Sequence, residues 1–351
     1  MFSILQTLLY FIIVLVIVVF VHEYGHFYVA KKCGVKIEEF AIGMGQKIFG
    51  FKDRDGVLWK FCCFPIGGYV KMYGDDNATS FGGYSNNPSE DELKYALIYK
   101  HPLKKIAVAF AGPFMNFVLA VVLFFVVFSF NGKPIFEPII GKVLKDSYAE
   151  KAGIVVGDRI KSVNDCKIST FNDVRFCISN NNSDMIKIEL LRNGKNLTLD
   201  AKYKKGDVFG ISGGKIKYIK TSMLDAMHES CKMTFDIVNK TIQSIWNMVV
   251  HQSGFKNIGG PITIAKESAK AGKDGFWSLL YFIALISVSL GALNLLPIPL
   301  LDGGHIFVNF IEFTTRRRFS NFAYAVFVFV GFSCIALLMG IGIINDLFLR
   351  R

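Results

Sequence analysis

Two histidines four residues apart flank a glutamate near the end of the first apolar stretch of the chain. The run reads His22-Glu23-Tyr24-Gly25-His26. Residues four apart share one face of a helix, so both imidazoles can bind the same ion, while Glu23 beside them can accept a proton from water. The spacing is specific for a zinc site with a general base. The alternative is a helix end whose polar groups only meet lipid headgroups, and the cost of burying them disfavours it.

A third ligand must come from elsewhere, because a catalytic zinc ion takes three protein ligands and keeps one position open. Asp302 is the best candidate carboxylate, since it follows two prolines and precedes Gly303-Gly304 at the end of a long apolar stretch. Such a sequence breaks a helix, and broken backbone at membrane depth is tolerated only where it lines a cavity or is buried in protein. His305 and Glu312 are the alternative ligands. The alternative interpretation of Asp302 is a helix-terminal carboxylate at the water boundary, without a role in metal binding.

The composition is that of a membrane protein. Of 351 residues, 52% are hydrophobic and 34 are Phe, with a mean hydropathy of +0.39. About 20 apolar residues span the hydrocarbon core as a helix. Four stretches without a charged side chain meet that length: Phe2 to Val21, Ile106 to Phe130, Phe276 to Leu301 and Phe322 to Ile344.

The net charge of +12 does not indicate a nucleic-acid partner, because the lysines are spread through loops rather than gathered on one stripe. Basic residues instead flank the spans, which predicts cytoplasmic loops between spans one and two and between spans three and four. The flanking residues are Lys31, Lys32, Lys36, Lys100, Lys104, Lys105, Arg316, Arg317 and Arg318. The long segment 131–275 is then expected on the opposite side of the membrane. There Cys166 and Cys177 could pair, although the sequence does not decide it.

The segments between the spans divide into a small sheet, a polar loop and a soluble domain. Residues 57–61 and 68–72 are predicted strands separated by Pro65-Ile66-Gly67, and residues 74–92 are predicted to form a mobile loop. Short strands and two short helices are expected between residues 135 and 203, where Asn193-Gly194 marks a hairpin. Residues 221–250 have apolar positions at helical spacing, which predicts an amphipathic helix.

The predicted fold class is an α-helical polytopic membrane protein with a four-span core, a membrane-associated β-hairpin and one inserted α+β domain. Its predicted segments are listed in chain order: transmembrane helix 1 with the His-Glu motif (1–30), hairpin and loop (31–104), transmembrane helix 2 (105–130), inserted domain (135–205), amphipathic helical linker (206–275), transmembrane helix 3 (276–301), cytoplasmic loop (302–321) and transmembrane helix 4 (322–346).

Taken together, these motifs resemble the site-2 protease family of intramembrane zinc metalloproteases, and among them the bacterial regulator-of-sigma-E protease group. The resemblance rests on the His-Glu motif in the first span and on the N-x-x-P-x-P-x-x-D-G run from Asn294 to Gly303. It also includes Ala111-Gly112-Pro113 with Asn116, and a PDZ-like stretch around Gly157-Asp158. The family's usual Gly-Phe-Gly appears here as Gly43-Met44-Gly45, and there is room for one PDZ-like domain only.

The resemblance implies one zinc ion held by His22, His26 and Asp302, with Glu23 as general base. It further implies that Asn294 helps to hold the substrate near the metal. An exposed strand of the hairpin either holds the substrate in an extended form or only braces the fold, and its candidate binding residues are Gly68, Tyr69, Val70, Lys71 and Met72. The expected reaction is hydrolysis of peptide bonds in transmembrane segments of single-pass proteins, such as anti-sigma factors, or in remnant signal peptides.

The expected location is the bacterial inner membrane, with the active site toward the cytoplasm and the PDZ-like domain in the periplasm or outside. There that domain would act as a binder of peptide termini or as a steric gate. Two other hypotheses are a metal-binding transporter, since intramembrane His and Asp also mark ion pathways, and a catalytically idle PDZ adaptor. The sequence does not give the natural substrate, the cleavage site or the oligomeric state.

Overall fold

The computed structural model divides the chain into two compact units. The first, called the membrane unit below, comprises Met1–Val127 and Leu224–Arg351, and the second, called the inserted unit, comprises Phe128–Met223. The polar segment 74–92, which was predicted to form a loop, lies outside the described residues. The structure describes residues 3–73, 94–179, 181, 183–204, 207, 209–214, 216–251, 259–317 and 319–349.

Helices and strands are numbered in chain order. The helices are α1 (Ile4–Lys32), α2 (Pro102–Phe130), α3 (Tyr148–Lys151), α4 (Phe171–Ser179), α5 (Met223–His251), α6 (Pro261–Lys273), α7 (Phe276–Asn294), α8 (Asp302–Thr315) and α9 (Asn321–Ile344). The strands are β1 (Ile37–Lys52), β2 (Leu58–Met72), β3 (Lys133–Phe136), β4 (Ile140–Val143), β5 (Arg159–Val163), β6 (Cys166–Lys167), β7 (Met185–Arg192), β8 (Lys195–Lys202), β9 (Ile211–Gly213) and β10 (Ile216–Ile219).

Among the described residues, four helices of the membrane unit are long and apolar enough to cross a bilayer. They are α1, α2, α7 and a helix from Phe322 to Phe348 that continues α9 through a π-helical turn. A helix satisfies its own backbone hydrogen bonds, which lipid cannot do for it, so apolar stretches of this length fold as helices in a membrane. The four spans predicted from the sequence are confirmed.

Small residues let the spans near the predicted site pack closely. A methyl group on Gly25 of α1 would lie 2.4 Å from the carbonyl oxygen of Ala111 in α2, and one on Gly291 of α7 would lie 3.1 Å from that of Pro113. Because association of helices in lipid depends on close van der Waals contact rather than on the hydrophobic effect, such residues determine where the spans touch. Helices α1, α2 and α7 therefore meet near the His-Glu motif.

The first loop forms an antiparallel hairpin whose turn lies at residues 53–57. The Asp53 carboxylate accepts hydrogen bonds from the backbone of Asp55 and Val57 and from the Trp59 indole, which fixes this turn. The prediction of two strands separated by Pro65-Ile66-Gly67 was wrong, because β2 runs through these residues as one irregular strand. Both halves of β2 pair with β1. Residues 68–72 at the end of β2 therefore form a strand at the outside of this sheet, called the outer strand below.

The inserted unit is an α+β fold with its own core. Its main sheet has the order β6-β5-β7-β8, and the predicted Asn193-Gly194 turn joins β7 to β8 with both residues at positive φ. Buried Ile186, Ile188 and Leu190 pack with side chains of α4 against one face of this sheet. Cys166 and Cys177, whose pairing the sequence left open, form a disulfide.

This unit extends past the predicted boundary at residue 205. Residues 206–275 were expected to be a helical linker, but β9 and β10 lie there and pair with β4 and β3. These pairings join residues far apart in the sequence, so local patterns do not indicate them. The amphipathic helix expected at residues 221–250 corresponds to α5, and α6 follows it.

The chain breaks between α7 and α8, as the prolines predicted. The helix α7 ends at Asn294 rather than continuing to residue 301, and Leu300 has a φ of 73° in the turn that follows. Residues 302–321 were expected to be a loop, but most of them form α8, which begins at Asp302. The turn folds so tightly that a methyl group on Gly303 would lie 2.2 Å from the carbonyl oxygen of Leu296.

The substitution Gly303→Ala should therefore destabilise the protein and displace Asp302. Forcing a methyl group against backbone costs about 1–3 kcal/mol, since the carbonyl cannot rotate away as a side chain can. Thermal unfolding of the purified protein in detergent would measure this. The control is Gly340→Ala in α9, where a methyl group has no neighbour within 4 Å. Equal unfolding temperatures for the two variants would contradict the packing described here.

Candidate active site

Three side chains from distant parts of the sequence meet at one point of the membrane unit. The Nε2 atoms of His22 and His26 lie 3.2 Å apart. His22 Nε2 lies 3.1 Å from one carboxylate oxygen of Asp302, and His26 Nε2 lies 3.3 Å from the other. Among the described residues, these three make the one group of at least three potential ligands with all ligand atoms within 4.8 Å of one another.

The geometry of this cluster fits a zinc ion. With bonds of about 2.0–2.1 Å, neighbouring ligands of a tetrahedral zinc ion lie about 3.3 Å apart. The separation of the two Nε2 atoms matches that edge length, and each Nε2 atom lies at a similar distance from one of the two Asp302 oxygens. Two imidazoles and one carboxylate also leave a fourth position free, as in catalytic zinc sites.

Glu23 and the outer strand share a cavity with the cluster. The cavity has a volume of about 210 Å³ and is lined by His22, Glu23, His26, Gly68, Tyr69, Val70, Met72, Leu97, Val108, Ala109, Asn294, Leu300, Leu301, Asp302 and His305. Gly68 lies against the glutamate, since a methyl group there would be 2.9 Å from Glu23 Cγ. Four of the five predicted hairpin residues thus line the site. The fifth, Lys71, pairs with Glu38 at 3.0 Å and is not among the lining residues.

The remaining predicted residues fall in different places. Asn294, at the end of α7, points its amide nitrogen toward the cluster, 3.3 Å from His22 Nε2. His305 lines the cavity but is not part of the ligand group. Glu312 lies elsewhere, 3.7 Å from the ammonium group of Lys105. Of the three candidate third ligands, only Asp302 stands within reach of both imidazoles.

Asp302 and His305, which follow the third span in the sequence, have shifted pKa values. Burial raises the pKa of the Asp302 carboxyl, but the charge of His26 and hydrogen bonds from both imidazoles outweigh it and hold the pKa below its usual range. Burial lowers the pKa of His305 to about 4. At neutral pH the carboxylate is therefore charged and the His305 ring is neutral.

Both imidazoles are oriented through their Nδ1 atoms. His26 Nδ1 donates to the carbonyl oxygen of Val108 at 2.8 Å, which leaves Nε2 free for an ion. His22 Nδ1 lies 3.1 Å from the side-chain amide nitrogen of Asn116, a fully buried residue whose amide oxygen has no hydrogen-bond partner in the part of the chain that the structure describes. A half-turn of this amide brings the oxygen to the ring, where it accepts the Nδ1 hydrogen of a metal-binding imidazole.

Gly112 leaves the space that the imidazoles occupy. A methyl group on this residue of α2 would lie 2.3 Å from His26 Nε2 and 2.9 Å from His22 Cε1. In the sequence, Gly112 and Asn116 contribute only to a family resemblance and have no predicted role of their own. The sequence feature that could have indicated a role is the presence of a small and a polar residue inside an otherwise apolar span, because a buried Asn side chain needs a hydrogen-bond partner.

A polytopic membrane protein with two histidines, one carboxylate and a neighbouring glutamate at a cavity belongs to the class of intramembrane metallohydrolases. Comparison with known families gives the particular assignment. Residues 10–338 match the model of "Peptidase family M50", and the chain belongs to that family. It is a metalloprotease, and its metal is zinc.

Curated relatives resemble the chain over almost its whole length. Three of them share the name "Putative zinc metalloprotease". The protein of Mesorhizobium japonicum is 37% identical, over 98% of this chain and 99% of its own. The protein of Brucella suis biovar 1 is 35% identical, over 97% of this chain and 95% of its own. The protein of Rickettsia conorii is 35% identical, over 96% of this chain and 97% of its own.

The substitution Asn116→Ala should weaken zinc binding, because it removes the group that faces His22 Nδ1. Loss of such an outer partner costs about 10- to 100-fold in metal affinity. Competition with a chromophoric chelator would measure the zinc dissociation constant directly. Asn116→Asp keeps an acceptor facing the ring and should retain most of the affinity. If both variants bind zinc as wild type does, Asn116 does not orient the ligand.

Proposed function

We propose that the chain is a zinc-dependent endopeptidase that cuts transmembrane segments of single-pass membrane proteins or remnant signal peptides. His22, His26 and Asp302 hold the ion, and Glu23 is the general base. One observation carries this proposal: the two imidazoles and the carboxylate approach one another to 3.1–3.3 Å while Glu23 lines the same cavity. Peptide hydrolysis needs both features within reach of one substrate bond.

Each residue has a defined task in this proposal. A bound zinc ion supplies Lewis-acid chemistry, which acidifies water and polarises the scissile carbonyl. Glu23 takes the proton of the attacking water and passes it to the nitrogen of the leaving amine. The Asn294 amide faces the cavity and donates a hydrogen bond to the substrate backbone. The apolar surroundings strengthen each of these electrostatic contacts.

The substitution Glu23→Gln separates this function from the two alternatives. The base is removed while its shape remains, so cleavage of a transmembrane reporter should fall by at least about 10²-fold, with zinc content unchanged. A transporter or an idle adaptor would keep its activity in the same variant. Glu267→Gln, an exposed position on α6, is the matched control and should cleave as wild type does. Cleavage of the reporter by Glu23→Gln at the wild-type rate would refute the proposal.

The outer strand of the hairpin supports binding of an extended substrate. A peptide bond inside a helix is shielded by its hydrogen bonds, so the substrate must unwind before attack. Residues 68–72 pair with β1 on one side and line the cavity through Gly68, Tyr69, Val70 and Met72. We propose that the unwound substrate pairs with this strand as an additional β-strand. The backbone hydrogen bonds formed with the strand replace those that the substrate helix loses when it unwinds.

The hairpin also carries exposed apolar side chains away from the cavity. Among them are Met44, Ile48, Phe49, Phe51 and Phe64, each more than half exposed. Large exposed apolar patches mark contact with a membrane or a partner. We propose that this end of the hairpin enters the lipid, where it meets a substrate that arrives from the bilayer.

Photo-crosslinking tests the strand proposal. p-Benzoylphenylalanine in place of Tyr69, in the Glu23→Gln background, should form an adduct with the transmembrane segment of a bound substrate. The same amino acid in place of Phe176, an exposed side chain on α4 of the inserted unit, is the control and should give little adduct. Mass spectrometry of the adduct identifies the substrate residue. Equal adducts at both positions, or none at Tyr69, would rule out strand addition.

We propose that the inserted unit is a PDZ-like domain outside the cytoplasm. The disulfide between Cys166 and Cys177 supports an oxidising location, and the basic residues that flank the spans support cytoplasmic loops on the other side. The chain then lies in the bacterial inner membrane, with the hairpin on the cytoplasmic side. In that position the inserted unit is a steric gate that excludes substrates with bulky outer domains. Anti-sigma factors are substrates of the proposed type.

A further inference from the structure

A second cavity in the membrane unit has no role in the proposed reaction. It has a volume of about 390 Å³ and lies between the segment that leads into α2 and the end of α8. We call it the basic cavity. Its lining residues are Ile98, Tyr99, Lys100, His101, Pro102, Lys105, Glu312, Phe313, Arg316 and Arg317.

Positive charge exceeds negative charge in the basic cavity. Four lining residues are Lys or Arg, and Glu312 is the one carboxylate among the lining residues. Its two oxygens face Lys105 at 3.7 Å and the backbone nitrogen of Phe319 at 3.1 Å. Within the described part of the chain, Lys100, Arg316 and Arg317 form no ion pair. Three cations are thus left facing a cavity without a counter-charge.

The environment of Lys100 is consistent with this excess. Burial and the neighbouring charge of Lys104 both lower the pKa of Lys100, so its ammonium group lacks the stabilisation that a carboxylate would give. Backbone amides at the start of α2 do not serve as the anion site. His101 already accepts hydrogen bonds from the backbone nitrogens of Leu103, Lys104 and Lys105.

The position and the walls of the cavity point to a lipid. It lies at the beginning of the span α2, and the last span begins shortly after Arg317. Three partly exposed side chains, Ile98, Tyr99 and Phe313, form an apolar wall beside the cations. A soluble anion would leave this wall in water, whereas a phospholipid places its phosphate at the cations and its glycerol and acyl chains along the wall.

We propose that the basic cavity binds the phosphodiester of an anionic phospholipid headgroup. Lys100, Arg316 and Arg317 contact the phosphate oxygens. The bound lipid joins the beginning of α2 to the end of α8, the helix that starts with Asp302. Because α2 carries Gly112 and Asn116, the lipid stabilises the two helices that meet at the candidate zinc site.

The test uses the purified full-length protein in a neutral detergent, titrated with phosphatidylglycerol, phosphatidylcholine or inorganic phosphate. Lipid binding is followed by native mass spectrometry and by the rise in unfolding temperature that ligand binding produces. Phosphatidylglycerol should bind and stabilise, whereas phosphatidylcholine should do so weakly. The double substitution Arg316→Asn with Arg317→Gln should weaken binding of phosphatidylglycerol on the order of fivefold per charge removed. Asn suits the left-handed backbone of Arg316, whose φ is 55°.

The control removes the same charge elsewhere: Lys187→Gln with Lys202→Gln, both exposed on the inserted unit, should leave lipid affinity unchanged. Equal losses in both double variants would overturn the proposal, as would equal binding of the two lipids. Stabilisation by inorganic phosphate alone would show a site for a soluble anion instead. If the arginine variant fails to fold, as judged by its zinc content, Lys100→Gln takes its place and should lose about fivefold in affinity.

Discussion

The structure depends on the convergence of two imidazoles and one carboxylate within an apolar bundle of helices. His22, His26 and Asp302 lie 3.1–3.3 Å apart, although 276 residues separate the last two in the sequence. Polar groups at this depth are costly unless they find partners. An ion bound by all three satisfies them together, whereas any one of them alone would be unfavourable. The surrounding helices must therefore hold three side chains from two segments at one point.

Close packing of the backbone at glycine residues fixes the positions of these three side chains. Gly25 lets α1 approach α2, Gly112 leaves room for the imidazoles, and Gly303 lets the chain fold back before α8. At each position a methyl group would lie less than 2.5 Å from a backbone or ligand atom. Interiors packed this densely do not yield by that amount without cost. The metal site is therefore set by where backbones can touch as much as by its ligands.

Helix α8 couples two features of different chemistry. Its first residue is Asp302, whose carboxylate faces the imidazoles, and Arg316 and Arg317 follow its last residue at the basic cavity. Glu312, near the end of the same helix, faces Lys105 near the start of α2. The proposed metal ligand and the proposed lipid site therefore lie at opposite ends of one helix.

The sequence by itself determined the four spans, the His-Glu motif and the break near residue 300, because all three are local patterns. Apolar length predicts a span, spacing of four predicts one helical face, and prolines end a helix. It favoured Asp302 over His305 and Glu312 as the third ligand, and it gave Asn116 no role. Only the packing of the helices places Asp302 beside both imidazoles, Glu312 beside Lys105, and Asn116 beside His22.

Long-range pairing explains the other differences. Strands β9 and β10 join the inserted unit through partners at least 68 positions away in the sequence, and β2 continues through Pro65 because β1 provides partners on both sides of the bend. Neither effect leaves a local signal. Residues near in sequence set the kind of each element, whereas contacts between distant elements decided where each one ends and which side chains meet at the site.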